Sequence, residues 1–122
     1  MKFRSSCPVS SALDIIGDKW SLVIIRDLLY FNKKTFKELS NSRENIATNI
    51  LADRLKSLEE KGILTRNDVK ENKKTKHYKL TKKGLDLKPM LQELGKWSTT
   101  HLKNEHPKML SKEIFLEISH SN

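Results

Sequence analysis

The sequence predicts a mainly α-helical fold carrying one small β-hairpin, an α+β chain of 122 residues. Three observations predict it. Apolar residues recur at helical spacing in four stretches, near 9–16, 20–29, 47–58 and 87–102. Between 63 and 80 that period is lost, and two short β-compatible runs, "ILTRNDV" and "HYKL", flank a polar segment. The boundaries carry start and stop residues: Thr35 three positions before Glu38, Gly17 and Gly62 after apolar runs, and Thr81 before the last one.

In "CPVSSALDIIG", Val9, Ala12, Leu13 and Ile16 line one face of a short helix that Gly17 ends. Asp18 is placed to cap the next helix, "KWSLVIIRDLLYF". Trp20, Leu22, Val23, Ile24, Ile25, Leu28 and Leu29 leave that helix little polar face, so it is expected at the centre of the core. "TFKELSNS" opens with the capping box of Thr35 and Glu38 and sends Phe36 and Leu39 inward. The turn "SREN" leads into "NIATNILADRLKSLEEKGIL". Here Ala47, Ile50, Leu51, Leu55 and Leu58 form an apolar stripe, with Thr48, Asn49, Ala52, Asp53 and Lys56 opposite and Gly62 at the C-terminal cap. "KENKKTK" is expected as the long, flexible, basic tip of a two-stranded hairpin. Thr81 then caps a helix through "KKGLDLKPMLQELGKWSTTHL", with Leu87, Met90, Leu91, Leu94, Trp97 and Leu102 on its apolar face. Pro89 either kinks this helix or marks its start. After Pro107, "KMLSKEIFLEI" is expected to add one short helix. No internal repeat or low-complexity segment interrupts the chain.

Residues 1–122 are one domain's worth of chain. Hydrophobic residues at 36% against 32% charged imply a modest core under a large wetted surface. No apolar run approaches the roughly 18 residues that span a bilayer, and "MKFRSSCPVS" lacks an apolar leader, so a soluble, cytoplasmic protein without a membrane partner is expected. Cys7 is the only cysteine, which excludes an intrachain disulfide and fits a reducing compartment. His77, His101, His106 and His120 lack ligand spacing, so no metal or cofactor is expected. No nucleophile–base motif, glycine-rich phosphate loop or catalytic carboxylate pair stands out, so an enzyme is not expected.

Helix, helix, short helix, turn, helix, hairpin, helix is the layout of a winged helix-turn-helix. In that unit the second helix enters the major groove with its N-terminal residues at the base edges. The net charge of +9 argues for a polyanionic partner. Residues 66–83 hold eight basic and two acidic side chains, a net +6, so the charge is concentrated on the hairpin. Lys73, Lys74 and Lys76 on this wing suit phosphate contact, the alternative being a solubilising loop. Thr48 and Asn49 suit base edges: an Asn amide pairs bidentately with adenine, and a Thr methyl meets a thymine methyl. Ala52 and Lys56 continue that face. For this helix alone, a plain solvated face is the alternative. Asp53 counts against groove entry, because it would lie near phosphates. Glu59 and Glu60 fall where the helix would leave the groove. Arg54, at the edge of the stripe, reaches either a phosphate or an acid. Thr35 and Lys37 on the preceding short helix are further DNA candidates. Cys7, beside a helix N-terminus, is either a reactive thiol or a small buried apolar side chain, and the residue alone favours burial.

"CPVSSALDIIGDKWSLVIIRDLL" resembles the opening of HxlR-type winged-helix transcriptional regulators, with Cys-Pro-Val, Gly-x-Lys-Trp and an Ile/Leu-rich helix in succession. "TFKEL", "ILADRLKSLEEKGIL", "HYKLTKKG" and "PMLQELGKW" resemble, in order, that family's next helix, recognition helix, wing exit and final Trp-bearing helix. The resemblance covers about residues 7–97 and leaves 103–122 as a C-terminal extension. It implies a homodimer whose first and last helices pack across a two-fold axis, which assigns Val9, Leu13, Leu91, Leu94 and Trp97 to the interface. It also implies two recognition helices on a pseudo-palindromic double-stranded DNA operator. Some members of that family sense oxidants or electrophiles through the cysteine that Cys7 matches, which makes Cys7 a candidate redox switch. Two departures stand out. The family often opens the recognition helix with Ser-Pro-Lys where this chain has Ala47, Thr48 and Asn49, so Asn45 is expected to cap the helix earlier. The position of Asp53 is often basic. The roles of Thr48 and Asn49 are therefore carried over by position, not by chemistry. The expected function is a dimeric, bacterial, DNA-binding regulator; the alternative is a winged-helix module that contacts protein or RNA without operator specificity.

Overall fold

The computed structural model of the chain describes residues 1–69 and 71–110. Its elements are α1 (Pro8–Ile16), α2 (Ser21–Tyr30), α3 (Phe36–Ser40), α4 (Thr48–Glu60), β1 (Leu64–Val69), β2 (Asn72–Leu80), α5 (Lys82–Leu85) and α6 (Lys88–His101). This is a winged helix-turn-helix: α3 and α4 flank the turn, and the β1–β2 hairpin is the wing.

Pro8 stands in the first turn of α1, where its missing N–H costs nothing. Of the expected apolar face only Ile16 is fully buried; Val9 and Leu13 are 68% and 52% exposed. The helix α2 has no fully exposed residue and supplies Ile24, Ile25 and Tyr30 to the core. Asp18 works one turn ahead of it, accepting from the N–H groups of Trp20 at 2.8 Å and Ser21 at 2.9 Å. These are first-turn donors with no helical acceptor of their own.

The capping box at α3 forms as the sequence predicts. The N–H of Glu38 donates to Thr35 Oγ1 at 3.1 Å, and Glu38 Oε1 accepts from the N–H of Thr35 at 3.0 Å. Between α3 and α4 the structure differs from expectation. Asn45 has φ +54°, a left-handed conformation that asparagine tolerates, and its N–H donates to the Ser42 carbonyl at 3.1 Å. Asn45 is thus the pivot of the turn. Ala47 is the N-cap of α4 and supplies no side-chain cap. Ala47 is exposed, and the buried stripe begins instead at Ile46, continuing through Leu51, Leu55 and Leu58 with Ile50 half-buried. Ile46 and Leu51 occupy the two positions of a hydrophobic staple. At the other end Gly62 has φ +76°. Its N–H donates to the Glu59 carbonyl at 3.0 Å, and that of Ile63 to the Leu58 carbonyl at 2.9 Å, so the helix closes in a Schellman motif.

The hairpin pairs Leu64 with Leu80 at its base and Asp68 with Lys76 further out, with an irregularity between Asp68 and Val69. The second strand is longer than the sequence suggests. Residues 72–76, expected as a flexible tip, belong to β2, so Lys73, Lys74 and Lys76 sit on a strand. Thr81 ends the wing and caps α5, its Oγ1 accepting from the N–H of Gly84 at 3.3 Å. Of the two readings of Pro89 the structure shows the second: α6 starts at Lys88, with Pro89 in its first turn. Of the helix expected over 108–118, only Lys108–Leu110 lie within the described residues, and these are not helical.

The core joins Ile16, Ile24, Ile25, Leu39, Ile46, Leu51, Leu55, Leu58, Ile63, Leu64 and Leu80. Among the described residues one buried carboxylate accompanies it. Asp27, 1% exposed, faces Arg26 at 2.9 Å and Lys33 at 3.5 Å, and Arg26 also grips Glu44 of the turn, its Nη1 and Nη2 donating to Glu44 Oε2 and Oε1 at 2.7 and 2.9 Å. Composition alone would place all of these charges at the surface. No helix among the described residues is long and apolar enough to cross a membrane.

Candidate nucleic-acid interface

The turn and the core stripe decide which side of α4 faces out. With Leu51, Leu55 and Leu58 inward, Thr48, Asn49, Ala52, Asp53 and Lys56 are all exposed. Among the described residues the side chains of Thr48, Asn49 and Lys56 make no hydrogen bond or ion pair, so their polar ends are free for a partner. The helix has no acidic residue in its first turn and no side-chain cap, so its N-terminal N–H groups and positive dipole end are open to an anion. Arg43, exposed in the turn just ahead of α4, adds a cation that the sequence pattern does not single out. A basic residue next to the predicted turn is the signal available for it.

The sequence leaves Arg54 open between phosphate and acid; the structure pairs it with acids. Its Nε donates to Asp18 Oδ1 at 3.0 Å and its Nη1 to Asp53 Oδ2. Burial pushes the Asp18 carboxyl up, but hydrogen bonds from the Ser21 hydroxyl, the N–H groups of Trp20 and Ser21, and Arg54 outweigh it and hold the group at about 2. The same bond to Asp18 raises the Arg54 pKa above its usual value.

On α3, Lys37 is exposed, whereas the Thr35 hydroxyl is engaged in the capping box. The N–H groups of Lys34 and Thr35 hold the Glu38 carboxyl below the usual carboxylate range. On the wing, Lys74 and Lys79 are exposed along β2, and Arg66 is exposed on β1. Lys76 is bonded across the hairpin to Asp68, its register partner. Part of the positive charge over 66–83 is therefore already compensated: Lys76 by Asp68, and Lys82 by Asp86 at 3.1 Å.

Cys7 is exposed at the N-cap of α1. The burial favoured by the residue alone is not what the structure shows. Of the side chains assigned to a dimer contact, Val9, Leu13, Leu94 and Trp97 are exposed, the last two at 49% and 54%, while Leu91 is half-buried against the core. The helix α6 contains no buried residue. Among the described residues no group of three or more His, Cys, Asp or Glu side chains could hold a metal.

A family model described as HxlR-like helix-turn-helix matches residues 15–106. This match starts after Cys7 and runs past Trp97 into the tail. YvaP of Bacillus subtilis (strain 168), named an uncharacterised HTH-type transcriptional regulator, is 35% identical over 100 residues, 81% of this chain and 92% of YvaP. The HTH-type transcriptional regulator YodB of the same organism is 36% identical over 96 residues, 78% of this chain and 85% of YodB. The solved structure of reduced YodB is similar with a TM-score of 0.64 at 32% identity, over 80% of this chain and 95% of that one; YodB has also been solved with quinone bound. The redox regulator HypR, in its reduced form, gives a TM-score of 0.70 at 26% identity over 83% of this chain and 99% of HypR.

Proposed function

We propose that this chain, which belongs to the HxlR-like helix-turn-helix family of transcriptional regulators, binds a pseudo-palindromic operator as a homodimer and is switched by a small electrophile or oxidant at Cys7. That the chain is a DNA-binding regulator and not an enzyme follows from the family. The observation that supports the proposal most is the outward face of α4, where Thr48, Asn49 and Lys56 are exposed without internal partners beside an uncapped helix N-terminus. Thr48 and Asn49 would read base edges, Ala52 would allow close approach, and Lys56 with Lys73 and Lys74 of the wing would meet phosphates. Lys37 is retained as a phosphate contact.

The dimer is supported by exposed apolar side chains on the two terminal helices, Val9 and Leu13 on α1 and Leu94 and Trp97 on α6, which a second copy would cover. The switch is supported by the exposure of Cys7 and by the quinone-bound relative. In an alkylation by quinone the Cys7 sulfur bonds to a ring carbon that bears hydrogen, the thiol proton ends on one quinone oxygen and the hydrogen of that carbon on the other, leaving a hydroquinone thioether.

The test is selection from a random duplex library together with sedimentation of the free protein. The expected outcome is a two-subunit mass and one pseudo-palindrome bound at least about 10³-fold more tightly than random DNA, with half-sites about 34 Å apart. A monomer at micromolar concentration removes the dimer. Equal affinity for all duplexes marks a module that contacts protein or RNA instead.

A further inference from the structure

Among the outward positions of the N-terminal part of α4, 48, 49, 52, 53 and 56, Asp53 carries the only negative charge; the exposed Glu59 and Glu60 lie at the far end of the helix. A duplex laid along this face brings phosphates towards it, and juxtaposed like charges oppose binding. The structure gives this carboxylate a partner in Arg54. Arg54 is in turn moored, because its Nε donates to Asp18 Oδ1, and Asp18 is fixed by the N–H groups of Trp20 and Ser21 at the start of α2. A cation rooted at the start of α2 thus holds the acid on the exposed face.

We propose that Arg54, moored by Asp18, is a positioning residue for DNA binding: it neutralises Asp53 on the outward face of α4 and removes a repulsion that would oppose entry into the groove. This rests on α4 being the helix that meets the duplex. Arg54 contacts no nucleic acid in this role and acts only through Asp53. The remaining negative charge of the trio lies with Asp18, at the start of α2 and off the outward face. A separately moored cation also explains how α4 carries an acid at the centre of its outward face and a free lysine, Lys56, close by, without Lys56 being spent on that acid.

The experiment compares wild type, Arg54→Met, Asp53→Asn and the double variant, as full chains, on the duplex enriched by wild type and on a random-sequence duplex, at low and high salt. Arg54→Met is expected to weaken binding to both by about tenfold at low salt, with the deficit shrinking as salt screens it. Adding Asp53→Asn is expected to bring affinity back to within about threefold of the Asp53→Asn protein, because the residue to be neutralised is gone. A deficit from Arg54→Met that is equally large in the Asp53→Asn background would mean that Arg54 only supports the helix, and overturns the proposal. Should Arg54→Met fail to fold, Arg54→Gln, uncharged but still able to donate to Asp18, gives the same comparison. Asn49→Ala tells failure of the shield from failure of α4 as the groove helix. If it weakens the enriched duplex while Arg54→Met does not, the shield alone is wrong; if neither matters, α4 is not the helix on the duplex and the shield falls with it.

Discussion

The N–H of Tyr78 donates to the carbonyl of Lys34 at 2.7 Å, tying the second strand of the wing to the segment that leads into α3. The hairpin is thereby held at its base by the helix-turn-helix unit, while Lys74 on its outer part is exposed. Removing charge from the outer part should weaken contact with DNA without disturbing α4. Lys73→Ala with Lys74→Ala should lower affinity for every sequence and flatten the salt dependence by about one unit of slope for each phosphate that is no longer neutralised. The ratio of specific to random binding should stay put. Titrations over a salt series decide it, and an unchanged slope would mean that these lysines are merely solvated.

Asn49 is expected to act on sequence and not on charge. Asn49→Ala should cost about 1–3 kcal/mol on the selected duplex and almost nothing on random DNA. Equal losses on both would remove base readout from this side chain.

Asp18 has a pH signature. Its folded-state pKa of about 2 lies below the ordinary 3.8. Its contribution is therefore complete above pH 4 and is lost as pH falls through about 2. The side chain is about one-third exposed, so solvent screening keeps the effect to about 1 kcal/mol. Asp18→Asn should lower the unfolding free energy in urea by that amount at neutral pH, and the gap from wild type should close between pH 4 and 2. A gap that persists at pH 2 would assign the loss to packing.

Cys7 stands alone in its chain, so a switch requires an adduct, a mixed disulfide or a bond between subunits. Each adds bulk or a constraint at the start of α1, next to the exposed Val9 and Leu13. Quinone treatment should lower the DNA affinity of wild type and leave a Cys7→Ser protein unaffected. Identical responses of the two proteins would place the effector site elsewhere.

Sequence reveals what local chemistry decides. The Thr35–Glu38 box, the cap at Gly62 and the burial of α2 each follow from a few neighbouring residues, and each appears in the structure. The length of β2 is hidden because strand formation there is decided by pairing with β1. Residues 72–76 are all polar and so carry no apolar alternation to announce a strand. The turn at Asn45 departs from expectation because asparagine serves equally as a cap and as a left-handed pivot. Arg54 cannot be assigned from spacing, since its partner Asp18 is distant in sequence. The outward face of α4 is legible from the helical wheel, but the mooring behind it is not.

Thr81 closes a joint. Its hydroxyl donates to the Gly62 carbonyl at 2.6 Å, its N–H donates to the Ile63 carbonyl at 3.0 Å, and a side chain at Gly84 would collide with that same Ile63 oxygen. The end of α4 and the start of the path into α6 are thus clamped to one spot. If the chain pairs through α6, as proposed, this clamp would act as a gauge: within each subunit it would set how far apart two copies of α4 stand. Gly84→Ala would then do more than loosen a wing, for it would alter the span of operator the pair can measure.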